Sequence, residues 1–260
     1  MKKQVFGLFY ALFTLSIITI SWAPAQAKKT NVSLNTPISA HELLEKYVDE
    51  IYESAHLQES GLAFNIFKKA LTGFINLKLA DKLPQTSSIL TVIDFNKSSR
   101  EKRMWIIDVI SKELILNTWV AHGQGSGDDI ASEFSDKEDS HKSSLGFYVT
   151  DNVYYGKHGR SLKLDGMDPG FNANARSREI VVHGAGYVSQ GAIEHLGYLG
   201  RSFGCPAVSP EVADQVIDAI KDKTVIFIDG YSSHYSSKYL DEEQAANFVA
   251  NSNIPYIANL

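Results

Sequence analysis

The chain's single cysteine, Cys205, lies in GRSFGCPAV, between Gly204 and Pro206. A thiol serves as a nucleophile when a base draws off its proton, a third group fixes the tautomer of that base, and N–H donors meet the developing oxyanion. A free thiol titrates near ~8.5, and a neighbouring histidine or helix N-terminus lowers that value. Cysteine is also among the most often buried residue types, so on composition alone a lone one reads as packing. The choice between packing and chemistry turns on whether the other parts are present.

His183 is the candidate base. It ends the apolar run IVVH and is followed by Gly184. A strand end presents an imidazole rigidly, and a sharp turn at Gly184 leaves that carbonyl free to accept from Nδ1–H. His183 and Cys205 are 22 positions apart, so they share no helix face and meet only if the chain between them doubles back. Gly184, Gly186, Gly191, Gly197, Gly200 and Gly204 make such a path sterically possible. Gly204 also removes a side chain where a substrate carbonyl must approach. The N–H groups of Gly204 and Cys205 are the candidate oxyanion donors, and Pro206 fixes φ after the nucleophile.

Rival assignments exist. VAHG, ending at Gly123, repeats VVHG almost letter for letter, which makes His122 a second candidate base; His195, inside the loop, is a third. His183 is preferred because it is nearer to Cys205 and opens the loop that Cys205 closes. Grouping His122, His183, His195 and Cys205 as metal ligands finds no support in HExxH or CxxC spacing, so no metal or organic cofactor is implied.

The elements that must position these residues are legible from periodicity. Ser39-Ala40-His41-Glu42 fits a capping box, and apolar residues at helical spacing predict a helix over 40–56. A second is predicted near 62–78, its aromatic stripe read as a packed face. ILTVIDF (89–95), RMWIIDVI (103–110) and ELILNTWVAH (113–122) read as a strand meander. The polar loop 123–144 is long for a structureless connection, so it is expected to be either functional or mobile; its acids lack EF-hand spacing and are read as a solvated loop rather than a calcium site. Strand patterns resume at 146–155, 161–164 and 179–183, then at 224–229, with helices predicted over 210–221 and 241–249. Helices at the front and strands in the middle predict an α+β, mainly β fold.

At the N-terminus, Lys2 and Lys3 precede an apolar run from Val5 to Trp22, followed by Ala25-Gln26-Ala27. This reads as a secretory signal peptide over 1–27, with a retained membrane anchor as the second reading. A mobile lead-in is expected over 28–38, an N-terminal helical segment packed on the catalytic domain over 39–82, the catalytic domain over 83–235, and a C-terminal tail with a short helix over 236–260. Beyond Ala27 no apolar run is long enough to span a bilayer. The formal net charge is −5, and loss of Lys2 and Lys3 makes it more negative, which argues against nucleic acid as a partner. A lone cysteine forms no internal disulfide, so in an exported protein it is either buried or employed.

IVVHGAGYVS and LGRSFGCPAV, together with VIDFNKSSREKRMWIIDV, WVAHGQGSG, SSLGFYVT, YYGKHGRSLKL and FNANARSREIVVHGA, resemble the YkuD-type murein L,D-transpeptidase catalytic-domain family over roughly residues 60–235. The resemblance implies a β-sandwich catalytic domain with Cys205 as nucleophile, His183 as base and the Gly184 carbonyl orienting it. It implies peptidoglycan stem peptides as substrate, release of D-Ala through a thioester, and an amine acceptor that gives a 3–3 cross-link. Water as acceptor would give an L,D-carboxypeptidase, or a peptidase that detaches a cross-link; a wall-binding protein with a dead site is the non-enzymatic alternative. Such a protein would act in the periplasm or cell envelope. The commoner motif of the family is S-H-G-C, and Phe203 stands here in place of its second histidine. Ser202 matches the motif's serine, Arg201 is a candidate carboxylate clamp ahead of Arg176 and Arg178, and Tyr187 and His122 are candidate groove residues.

Overall fold

The computed structural model describes residues 38–252. The signal peptide read at 1–27, the lead-in up to residue 37 and the end of the C-terminal tail lie outside the described residues.

Helix α1 (Ala40–Ser54) begins at the expected capping box: Ser39 Oγ accepts from the Glu42 N–H at 3.2 Å, and Glu42 Oε2 accepts from the Ser39 N–H at 2.8 Å. Its buried stripe is Leu44, Tyr47, Val48, Ile51 and Tyr52. Helix α2 (Phe64–Leu79) is buried on most of its circumference, because the sheet lies on one side and other helices on the other. At Gly73 a Cβ would collide with the Phe147 ring, so the helix lies down on the sheet only because that position lacks a side chain.

Eight strands follow: β1 (Ile89–Asp94), β2 (Met104–Asp108), β3 (Glu113–Thr118), β4 (Gly146–Gly156), β5 (Gly159–Gly166), β6 (Val181–Gly184), β7 (Ala207–Val208) and β8 (Val225–Asp229). They form one hydrogen-bonded sheet in the order β3-β2-β1-β8-β4-β5-β6-β7, parallel at β1–β8 and β6–β7 and antiparallel elsewhere. Side chains alternate between two cores, as the two-residue strand period requires. Leu90, Val92, Trp105, Ile107, Phe147 and Phe227 face the helical layer of α1, α2 and α5 (Glu242–Asn251). Ile93, Met104, Ile106, Tyr148 and Ile226 face the opposite core, which they share with Leu162, Leu164, Val182 and Val208 from the far half of the sheet and with helix α4 (Pro210–Ile220). Each such fully buried aliphatic or aromatic side chain contributes roughly 1.5–3 kcal/mol.

The two halves of the sheet therefore close on a common interior, giving the sandwich-like, mainly β body with N-terminal helices that the residues predict. Its ends are tied together: Ala121 N–H donates to Ala207 O at 2.8 Å, and Gln124 N–H to Ser202 O at 2.8 Å. Two elements depart from the sequence reading: the short strand β7, which has no counterpart among the predicted strands, and a helix. Within the glycine-rich 184–204 stretch, read as loop, lies helix α3 (Gln190–Leu196), capped by Ser189 Oγ and ended by Gly197 at φ +84°. Among the described residues, no helix is long and apolar enough to cross a membrane.

Candidate functional site

The register of β6 and β7 decides what sits beside what. His183 pairs with Ala207 in parallel fashion, so two residues back Val181 lies beside Cys205. Cys205 lies just before β7, and its sulfur meets the Val181 N–H at the start of β6, two residues from His183. His183 and Cys205 both line a cleft of about 520 Å³, open to solvent and mixed in charge.

His183 is 2% exposed. Its Nδ1 lies 3.0 Å from Gly184 O, so Nδ1 carries the proton and donates, leaving Nε2 as the basic atom. Burial lowers its pKa, the Gly184 carbonyl partly offsets this, and nearby His158 and Lys157 lower it further. The imidazole is thus held neutral, the form a general base needs. Gly184 also carries a packing duty, since a Cβ there would press on Ala213 of α4.

The Cys205 thiol is half-buried. Its sulfur accepts from the Val181 N–H at 3.4 Å and donates to Glu179 O at 3.6 Å. Glu179 presents that carbonyl from a left-handed turn at φ +55° just before β6. Burial pushes the thiol pKa up, against the Val181 N–H and the positive charges of Arg178 and Lys157. The thiol rests protonated, its hydrogen on a carbonyl rather than on the imidazole. Apo sites commonly show such slack.

The turn before the thiol is built by Ser202. Its Oγ donates to Cys205 O at 2.6 Å and accepts from the Gly204 N–H at 3.0 Å. This corrects one assignment: the Gly204 N–H is engaged within the turn, which leaves the Cys205 N–H of the two proposed oxyanion donors. Gly204 itself is demanded by its backbone, at φ +119°, where a Cβ would lie 2.8 Å from Lys142 O.

His122 does not line the cleft, contrary to its assignment as a groove residue. It is 1% exposed, its Nδ1 accepts from Arg103 Nη2 at 2.7 Å, and its Nε2–H donates to Gly127 O at 3.2 Å. Burial, then Arg103, depress its pKa to about 4. With both nitrogens occupied, this neutral imidazole braces the sheet closure: its own carbonyl accepts from Ser202 N–H at 2.9 Å. His195 is exposed on the last turn of α3 and is not among the cleft residues.

Arg201, Ser202 and Tyr187 do line the cleft. Arg201 Nη1 donates to Gly127 O at 3.0 Å and pairs with Asp128. Tyr187 packs against Gly200, and burial followed by the neighbouring Cys205 raises its phenol to about 12. Arg176 is tied to Asp151 and Asp165. Arg178, 3% exposed in its side chain, donates to Ser135 O at 2.8 Å and to Lys142 O at 2.7 Å. It is the pin of the 123–144 loop.

That loop is therefore a wall of the cleft, while its acids Asp128, Glu133, Glu138 and Asp139 stay exposed as expected. It contributes Glu138, Asp139 and His141 to the cleft, and His141 stacks on Phe203 with ring centroids 4.3 Å apart. Phe203, 62% exposed, is thus an aromatic flank of the opening. Sequence reasoning missed His141, and it missed Lys157 and His158 at the β4–β5 turn; the signal for the latter was the short GKHG between two strand patterns. Away from the cleft, His41, Glu45 and Glu242 converge between α1 and α5, but Lys68 Nζ lies 2.5 Å from Glu45 and 3.0 Å from Glu242, supplying the positive charge there.

The cleft thus holds a thiol and a tautomer-fixed imidazole, the two groups that nucleophilic acyl transfer by cysteine employs. Residues 58–229, well over half the chain, match the family model of the L,D-transpeptidase catalytic domain, YkuD_2, and the chain belongs to that family. No curated protein sequence matches it. Among solved structures it is similar to an L,D-transpeptidase from Mycobacterium smegmatis, at 13% identity and TM-score 0.36, over 55% of this chain and 59% of that one. It is also similar to a variant of the helical cell shape determining protein Pgp2 from Campylobacter jejuni, at 13% identity and TM-score 0.37, over 70% and 63%. A third is an L,D-transpeptidase from Xylanimonas cellulosilytica, at 14% identity and TM-score 0.32, over 72% and 93%. The match spans less than two thirds of the length of the first two.

Proposed function

We propose that this protein is an exported cysteine acyltransferase acting on peptidoglycan stem peptides in the periplasm or cell envelope. The observation that carries the reading is one cleft lined by both the Cys205 thiol and a His183 whose Nδ1 is held by Gly184 O at 3.0 Å. Family membership supplies the substrate class.

In this reading His183 Nε2 takes the thiol proton as the sulfur attacks the carbonyl at the L-centre of the stem's diamino acid. The oxyanion meets the Cys205 N–H. Collapse breaks the peptide bond, and His183 returns the proton to the departing amine of D-Ala, leaving a thioester on Cys205. An amine of a neighbouring stem then attacks the thioester carbonyl, loses its proton to His183 and regenerates the thiol, forming a 3–3 cross-link. Water in place of the amine gives carboxypeptidase turnover through the same intermediate.

Incubation with purified muropeptides, read by mass spectrometry, tests this. Dimer formation with loss of D-Ala is expected from the wild type, together with a thioester adduct on Cys205. Loss of D-Ala alone would assign hydrolysis. Undiminished turnover in Cys205→Ala would overturn the mechanism.

A further inference from the structure

We propose that His158, at the tip of the β4–β5 hairpin, is a positioning residue for His183. The inference rests on the acyl-transfer reading above. The two imidazole rings are stacked, with centroids 4.3 Å apart and planes inclined by 22°. His158 is exposed while His183 is 2% exposed, so the outer ring covers a face of the inner one.

The hairpin geometry makes this placement firm. Gly156 pairs with Gly159, so Lys157 and His158 are the two residues of the turn. Strand β5 is in turn paired to β6 with Ser161 opposite His183. The hairpin tip is thus referenced directly to the backbone that carries the base. The Gly184 carbonyl fixes one edge of the His183 ring, and the His158 stack fixes its plane. Together they leave Nε2 a single heading.

The stack acts on the geometry of the base: with one face covered, the His183 ring cannot tilt away from the heading set by Gly184 O. Phenylalanine at 158 would preserve that cover, whereas alanine would remove it.

The test uses the full chain with His158→Ala and His158→Phe, each checked for an unchanged thermal midpoint. Two readouts are taken: kcat and KM on muropeptides, and the rate of iodoacetamide alkylation of Cys205 at pH 7, which needs no substrate. His158→Ala is expected to lose about tenfold in kcat and in alkylation rate at unchanged KM, while His158→Phe stays within about threefold of wild type. Wild-type rates in His158→Ala, or a His158→Phe variant that falls as far as His158→Ala, would overturn the proposal. Retained turnover in Cys205→Ala would instead bring down the acyl-transfer reading, and the alkylation rates would still decide the role of His158.

Discussion

Ser202 Oγ donates to the Cys205 carbonyl at 2.6 Å while accepting from the Gly204 N–H at 3.0 Å. One hydroxyl thus closes the turn that aims the thiol. The same residue is anchored by its backbone to His122 O at 2.9 Å, so the thiol's position is inherited from the far end of the sheet. Removing the hydroxyl strands one buried donor and one acceptor.

Ser202→Ala is therefore expected to cost about 1–3 kcal/mol of stability. It should cost more in rate, roughly a hundredfold in kcat, because the nucleophile loses its heading. Denaturant unfolding and single-turnover acylation check the two effects. A variant destabilised as expected but acylating at the wild-type rate would show that the turn does not aim the thiol.

The resting thiol is the second case. Burial dominates its surroundings, and its hydrogen points at Glu179 O. The pH profile of Cys205 alkylation in the free protein should therefore have its midpoint above the ~8.5 of an ordinary cysteine. A midpoint well below that value would mean a standing thiolate–imidazolium pair and would refute the neutral resting state.

His122 ties pH to stability. Its folded pKa of about 4 lies below the ordinary imidazole value near ~6.5, so between these values the unfolded chain binds the extra proton. Its contribution is fully present above pH ~6.5 and is lost as pH falls towards about 4, up to about 3 kcal/mol in all. His122→Gln, which keeps a side chain able to accept from Arg103, should flatten the fall in unfolding free energy across that window relative to wild type. Parallel curves for the two proteins would rule out His122 as the titrating group.

These cases mark what the sequence could disclose. Local patterns carried the helices and strands because amphipathic period and capping chemistry act within a few residues: the Ser39–Glu42 box opens α1 where expected. VAHG and VVHG are locally alike, and what separates them is distant. Arg103 and the carbonyl of Gly127 take up both nitrogens of His122, whereas His183 keeps Nε2 free by facing its own Gly184. The same holds for the 123–144 loop. Its acids read as solvated, and what makes it a cleft wall is Arg178 from another segment, which pins it. Helix α3 was legible after all in Ser189 and Gly197, a cap and a stop eight positions apart that bracket its seven residues, but glycine content outweighed them.

Arg201 gives the last prediction. Its guanidinium pairs with Asp128, whose side chain is 73% exposed, and lies over the Tyr198 ring at 5.4 Å. An ion pair so open to water is worth about 0–1 kcal/mol, little enough for a substrate carboxylate to displace Asp128. The aromatic ring and the Gly127 carbonyl keep the guanidinium in place for the exchange. Asp128→Asn removes the competitor and is expected to lower KM about twofold to fivefold with little change in kcat. Arg201→Ala should raise KM about tenfold or more, and Arg201→Lys should not restore it, because an ammonium lacks the planar fork that grips a carboxylate. Steady-state kinetics on stem peptides, with and without their terminal carboxylate, separates the possibilities. If Arg201→Ala lowers kcat at constant KM, or Asp128→Asn weakens binding, Arg201 holds the loop and not the substrate.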